Sequence, residues 1–200
     1  MLSFISGGIT HSFGLYLIPV TEYLEVGRET FGFAFALQGF IAGAGAFIFG
    51  AISDKYGSGI ASFIGAILFI VGLVLFANVG SSTDIIISQC MIGFGASGTG
   101  VSVTLGAVGR VATDKNRTLY LGVVMAGAST GQFIILPIST FLLQTFDWSQ
   151  SLIYLAILSS SMLFFAFALN FSSKSKSSIE GTNPVSYTHL TLPTKCRCLS

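Results

Sequence analysis

Three short patterns in this chain hold residue types that can do chemistry. Gly93-Phe-Gly95-Ala-Ser-Gly98 matches the dinucleotide fingerprint G-x-G-x-x-G. That chemistry needs a strand, a tight turn and a helix N-terminus to cradle a pyrophosphate, with an acidic residue roughly 20 positions on. Gly127-Ala-Ser129-Thr-Gly131 matches the nucleophile elbow G-x-S-x-G. A serine nucleophile needs a base to take its proton, and His11 is the histidine available in the apolar part of the chain. The third pattern, Gly50-Ala-Ile-Ser-Asp54-Lys55-Tyr-Gly57, sets a carboxylate and an ammonium between two glycines. Neither H-E-x-x-H nor a pair of carboxylates occurs within apolar sequence, so metalloprotease and aspartyl-protease chemistry lack their ligands. The three cysteines make no zinc spacing and no disulfide framework. No metal and no cofactor is expected.

The elements that must position these residues follow from composition. Nine basic and eight acidic residues make 8% of 200, against 52% hydrophobic residues, 24 glycines and 19 phenylalanines. A soluble domain carries about a quarter of its residues as charges, so a water-facing surface could not be coated here. The mean hydropathy of +0.82 points to lipid as the solvent. A net charge of +1 leaves no basic footprint for nucleic acid. Charge-free runs cover 1–21, 30–53, 56–83, 85–109, 118–146 and 148–173. About 20 apolar residues cross a bilayer as a helix, the form that satisfies its own backbone. Six spans are predicted, at about 1–21, 31–53, 59–79, 85–109, 119–143 and 150–171, as one bundle over 1–171.

Basic residues set the orientation. Lys55, Arg110, Lys115, Arg117, Lys174 and Lys176 follow the even-numbered spans, and Arg28 alone follows an odd one. Both termini are therefore expected in the cytoplasm. Trp148 and Tyr23 fall at the opposite interface, where amphipathic rings belong. Residues 172–184 read as a polar cytoplasmic linker. Residues 185–200, VSYTHLTLPTKCRCLS, resemble translated sequencing-adapter read-through. They are expected to be non-native, with the natural chain continuing past about Pro184, so His189, Cys196 and Cys198 carry no functional weight.

Placed in these spans, the first two patterns read as packing. Gly93, Ser97, Gly100 and Thr104 share one face of a continuous fourth helix, and Gly95 and Gly98 add to its small-residue surface. Gly127 and Gly131 form a G-x-x-x-G contact on the fifth, since small residues let helix backbones approach in lipid. Pro19 and Pro137 are expected to kink spans one and five.

The third pattern is more specific. It resembles the G-x-x-x-D-[RK]-x-G signature of the major facilitator superfamily, at the cytoplasmic end of the second span. Gly50 permits close helix packing, Asp54 can accept charge-assisted hydrogen bonds, and Gly57 allows a sharp turn. The surrounding THSFGLYLIPVTEYLEVGRETFGFAFALQGF is similar to spans one and two of bacterial monocarboxylate-porter-like transporters. IGFGASGTGVSVTLGAVGR and RTLYLGVVMAGASTGQFIILPIS are similar to their spans four and five. The resemblance covers residue 1 to about Asn170. It implies an all-α membrane fold, the amino-terminal six-helix half of a twelve-helix bundle, in a bacterial inner membrane. It also implies alternating-access transport of a small organic anion, commonly a monocarboxylate, and a missing carboxyl-terminal half as partner. Asp54 and Lys55, with Arg110 and Arg117, would form the inner gate. Two departures stand out. Ser58-Gly59 replaces the usual following basic residue, and Gln89 stands where many members carry an arginine.

Polar side chains in the spans remain to meet a substrate. His11, Gln38 and Gln132 are the largest of them, and histidine is the residue type whose ordinary range lies near neutral pH. Each could also serve as an interhelical hydrogen-bonding group. Two other readings stay open, an intramembrane serine hydrolase using Ser129 and His11, and a free-standing six-helix scaffold.

Overall fold

The computed structural model describes the backbone of residues 1–111 and 116–177, and side chains over 1–109 and 116–167. Among these residues the regular structure is helical throughout. The chain first climbs as α1 (Leu2–Ser12), a 3-10 turn (Phe13–Tyr16) and α2 (Leu17–Leu24). Pro19 explains the break. It has no N–H to reach the Leu15 carbonyl, and its ring crowds that same turn. α3 (Arg28–Tyr56) and α4 (Ser58–Ala77) meet at Gly57, whose φ of 94° falls in the left-handed region that glycine tolerates.

α5 (Ser82–Thr99) begins at a reciprocal cap. Ser81 accepts from the Asp84 N–H at 3.4 Å, and the Asp84 carboxylate accepts from the Gly80 N–H at 3.2 Å. The fourth span is not continuous. Gly100 turns to extended backbone, and α6 (Val101–Val111) starts beyond it. Thr104 donates both its N–H and its hydroxyl to the Gly100 carbonyl. α7 (Arg117–Thr145) runs unbroken past Pro137, and α8 (Trp148–Ser177) closes the bundle. α8 thus continues as helix into the stretch expected to be linker. The remainder of 172–184, and all of 185–200, lie outside the described residues. Among the described residues five helical stretches are long and apolar enough to cross a membrane, taking α5 and α6 together. The segment α1–α2 is the sixth apolar helical stretch, divided by its 3-10 turn.

α4 sits between α5 and α8, α3 packs on α5, and α1 packs on α7. One cluster of side chains fills the centre, with Phe13 edge-on to Phe76 at 5.6 Å and Phe31 at 6.1 Å from it. A smaller cluster of Phe49, Ala61 and Val103 fills the end near Gly57. Hydroxyls in the spans are largely satisfied within their own helices, as Ser88 donates to Asp84, Ser97 to Phe94 and Ser159 to Leu155. α4 is buried over half of its most apolar stretch, α3 over 17% and α7 over 11%. Two long helices therefore show most of their surface.

Candidate functional site

The sequence candidates separate onto two seams. On the first, α1 meets α7 through glycines. A Cβ on Gly8 would lie 2.6 Å from the Gly131 carbonyl and 2.5 Å from the Ile135 Cδ1, and one on Gly131 would collide with the Phe4 carbonyl. Gln132, half-buried, occupies the turn that grips Gly8, and His11 follows Gly8 by three residues on α1. His11 is exposed, and Gly14, one turn farther, has nothing within 4 Å of where a Cβ would stand. His11 and Gln132 thus border one open edge, with room beside them. Gly127, also on α7, likewise meets nothing within 4 Å, so Gly131 makes the α1 contact without it.

On the second seam, α3 meets α5. Gln38 is 2% exposed, and a Cβ on Gly93 would strike its carbonyl. Helical side chains lean toward the N-terminus, and α3 and α5 run the same way, each being antiparallel to α4. Gln38 therefore leans toward the turn that carries Gln89, which is fully buried. Among the described residues neither carboxamide has a hydrogen-bond partner. Sequence reasoning noted Gln89 only as a departure. Its burial was not readable, because a polar residue in an apolar run can face either way.

A third polar contact was missed. The Tyr16 hydroxyl, fully buried at the 3-10 turn, lies 2.6 Å from Ser151 Oγ on α8. A tyrosine beside a proline-induced turn is the signal that could have found it. Across the bundle, Ser3 Oγ lies 2.9 Å from Thr104 Oγ1, tying α1 to α6. Ser97 meanwhile packs against α3, 2.5 Å from where a Gly45 Cβ would stand. Ser97 and Thr104 therefore serve two neighbours, because the break at Gly100 interrupts the single face expected of them.

The third motif closes the α3–α4 turn. Asp54 and Lys55 are exposed, and the Lys55 ammonium stands 5.3 Å from the Tyr56 ring centroid. The Gly57 N–H donates to the Ser53 carbonyl at 3.1 Å. Gly50 opens onto free space. Arg117 lays its guanidinium 3.6 Å from where a Gly109 Cβ would lie, and the Arg110 side chain falls outside the described residues. As for hydrolysis, the Ser129 hydroxyl donates to the Met125 carbonyl of its own helix, and no hydrogen bond between it and His11 is seen among the described residues. The run from Gly93 to Gly98 is helical, without the strand and turn that phosphate binding requires.

Comparison with known proteins bears on these arrangements. The chain matches the profile of the Major Facilitator Superfamily over residues 1–193. It is similar to monocarboxylate transporter 11 of Mus musculus, at 24% identity over 151 residues. Those residues are 76% of this chain and 34% of that protein, so the chain spans about a third of the length of the curated relative it matches.

Proposed function

Because this chain belongs to the major facilitator superfamily and is a multi-pass membrane protein, we propose that it forms one half of an alternating-access transporter for a small organic anion. The observation that carries this is a stripe on α3. Gly32, Gly39, Gly43 and Gly50 each have nothing within 4 Å of a Cβ position. At about 100° per residue their spacings of seven, four and seven keep them within about 20° of one line. An exposed helical glycine is less favourable than alanine by about 1 kcal/mol, so four such sites weaken α3 by about 4 kcal/mol with no return from packing among the described residues. A second six-helix bundle closing on α3 and α7 supplies that return, since glycine permits close and sliding helix contacts. The open edge with His11 and Gln132 then faces the gap between the halves, where a substrate passes.

The anion is a monocarboxylate in this reading, on the strength of the curated relative's name. The His11 imidazole donates an N–H to the carboxylate and Gln132 orients it. Asp54, with Arg110 and Arg117, holds the inner gate, and both termini lie in the cytoplasm of a bacterial inner membrane. Uptake of labelled lactate, pyruvate, formate and oxalate by cells producing the complete reading frame tests this. Saturable uptake of one of them, weakened by His11→Ala with normal membrane insertion, is the expected result. A gate network worth about 1–3 kcal/mol corresponds to a 5–150-fold shift between states, so Asp54→Asn lowers uptake within that range. Uptake indifferent to both substitutions contradicts the proposal.

A further inference from the structure

The end of the bundle opposite the Asp54 turn carries a cavity of about 660 Å³ between α2, the α4–α5 connection and the start of α8. Its chemistry is that of an acceptor. Tyr23 and Trp148 form one side, with ring centroids 5.3 Å apart and planes tilted by 58°. Asp147 supplies a carboxylate beside them, and Asn78 and Pro19 complete the lining. Two of the lining donors are already engaged by backbone carbonyls. Asn78 donates its Nδ2 to the Val74 carbonyl at 2.8 Å, which leaves its Oδ1 as the acceptor end of the amide. Ser149 donates its hydroxyl to the Ala77 carbonyl at 2.6 Å. None of the lining residues is cationic.

The charge around the cavity has the same sign. Glu22, Glu25, Glu29, Asp84 and Asp147 belong to this end, against Arg28 alone. Such a field repels anions and gathers cations. Asp84 is occupied by its cap, holding the Gly80 N–H. Aromatic faces attract cations through the ring quadrupole, most strongly tryptophan, and quaternary ammonium groups are recognised in this way. A metal ion fits poorly, because one carboxylate and one amide oxygen fall short of the six to eight oxygens that calcium takes.

We propose that this cavity binds an organic ammonium group, seated on Tyr23 and Trp148 and neutralised by Asp147, with Asn78 Oδ1 as a further acceptor. A phospholipid headgroup and a free amine share that chemistry. The site is separate from the anion path proposed above and stands whether or not that reading holds.

Trp148 is the single tryptophan of the chain, so its emission reports on this site alone. The full chain, purified in an uncharged maltoside micelle, is titrated with choline and with the uncharged isostere in which carbon replaces the quaternary nitrogen. Choline gives a saturable change in emission, and the isostere gives none. Asp147→Asn weakens choline binding about tenfold or more, since a contact with a charged partner is lost. Tyr23→Ala abolishes binding and Tyr23→Phe preserves it, which separates loss of the ring face from loss of the fold. Competition by added phosphatidylcholine assigns the site to a lipid headgroup, and absence of competition assigns it to a free amine. A response to choline that does not saturate, an equal response to the isostere, or unchanged affinity in Asp147→Asn overturns the proposal.

Discussion

Two glycine surfaces of this molecule look alike in sequence and do opposite things. Along the seam of α4 and α5, every glycine is met by another backbone. A Cβ on Gly65 would lie 2.7 Å from the Gly98 Cα, and one on Gly95 would strike the Phe69 nitrogen. Along the outer line of α3, four glycines meet nothing. Beside them stand Phe33, Phe40 and Phe47, exposed by 60%, 75% and 85%. Lipid tails are as apolar as leucine, so close packing and hydrogen bonds hold helices together in a bilayer. The α4–α5 seam is finished within this chain. The α3 stripe meets nothing among the described residues, and glycine's meaning therefore depends on what faces it.

Substitutions that add one methyl group to each surface sharpen this contrast. Gly95→Ala has the largest expected effect, because the Phe69 nitrogen, Phe69 Cα and Gly65 oxygen are all backbone atoms and the two helices must separate. Overpacking of this kind costs on the order of 3 kcal/mol, read as a large fall in thermal stability in detergent or as failure to accumulate. Gly39→Ala, on the same scale, leaves the isolated chain unchanged or raises its stability by up to about 1 kcal/mol through helix propensity. Equal losses at the two positions would erase the distinction.

Gly57→Ala comes next. Its φ of 94° puts a Cβ in a region costly for L-residues, about 1–2 kcal/mol, and a thermal melt indistinguishable from the parent protein would show that the turn relaxes. Tyr16→Phe removes the hydroxyl 2.6 Å from Ser151. Hydrogen bonds between membrane helices are worth about 0.6 kcal/mol on average and up to about 1.7, so a small fall is expected, and a double substitution with Ser151→Ala should add little further. Gln89→Met has the smallest effect, with the sign open only toward stabilisation. The Gln89 carboxamide is buried without a partner among the described residues, and an apolar group of the same shape removes that desolvation penalty. A clear loss of stability in Gln89→Met would mean that the amide is hydrogen-bonded in the membrane.

The fold class was legible because charges cannot sit mid-membrane, and the gaps between Arg28, Asp54, Asp84, Arg117 and Asp147 outline the helical segments. The interruptions were less so. Pro19 marked span one, although the turn itself falls at 13–16, ahead of the proline. Nothing local distinguishes Gly100 from its neighbouring glycines, and its break is fixed by Thr104 and by what α5 and α6 pack against. Which face of each helix turns inward was not legible at all. In water an apolar stripe marks the core, whereas in lipid both faces are apolar and that periodicity fades. This is why Gln38, buried on α3, and His11, open on α1, read alike until the helices are packed.

Water access to the α3 stripe is the most direct measurement of what it faces. Gly39→Cys, Ala34→Cys and Ile67→Cys, each in a background from which every native cysteine, Cys90 included, has been replaced by serine, sample the open stripe, the buried face of the same helix and the exposed apolar surface of α4. They are treated in membranes, within the complete reading frame, with a small water-soluble thiol reagent, in the presence and absence of saturating lactate. A stripe that lines a substrate path makes the cysteine at position 39 reactive and protected by lactate, while positions 34 and 67 stay silent. A cysteine at 39 that is as silent as the one at 67, with or without lactate, would place the stripe against lipid and contradict the transport reading.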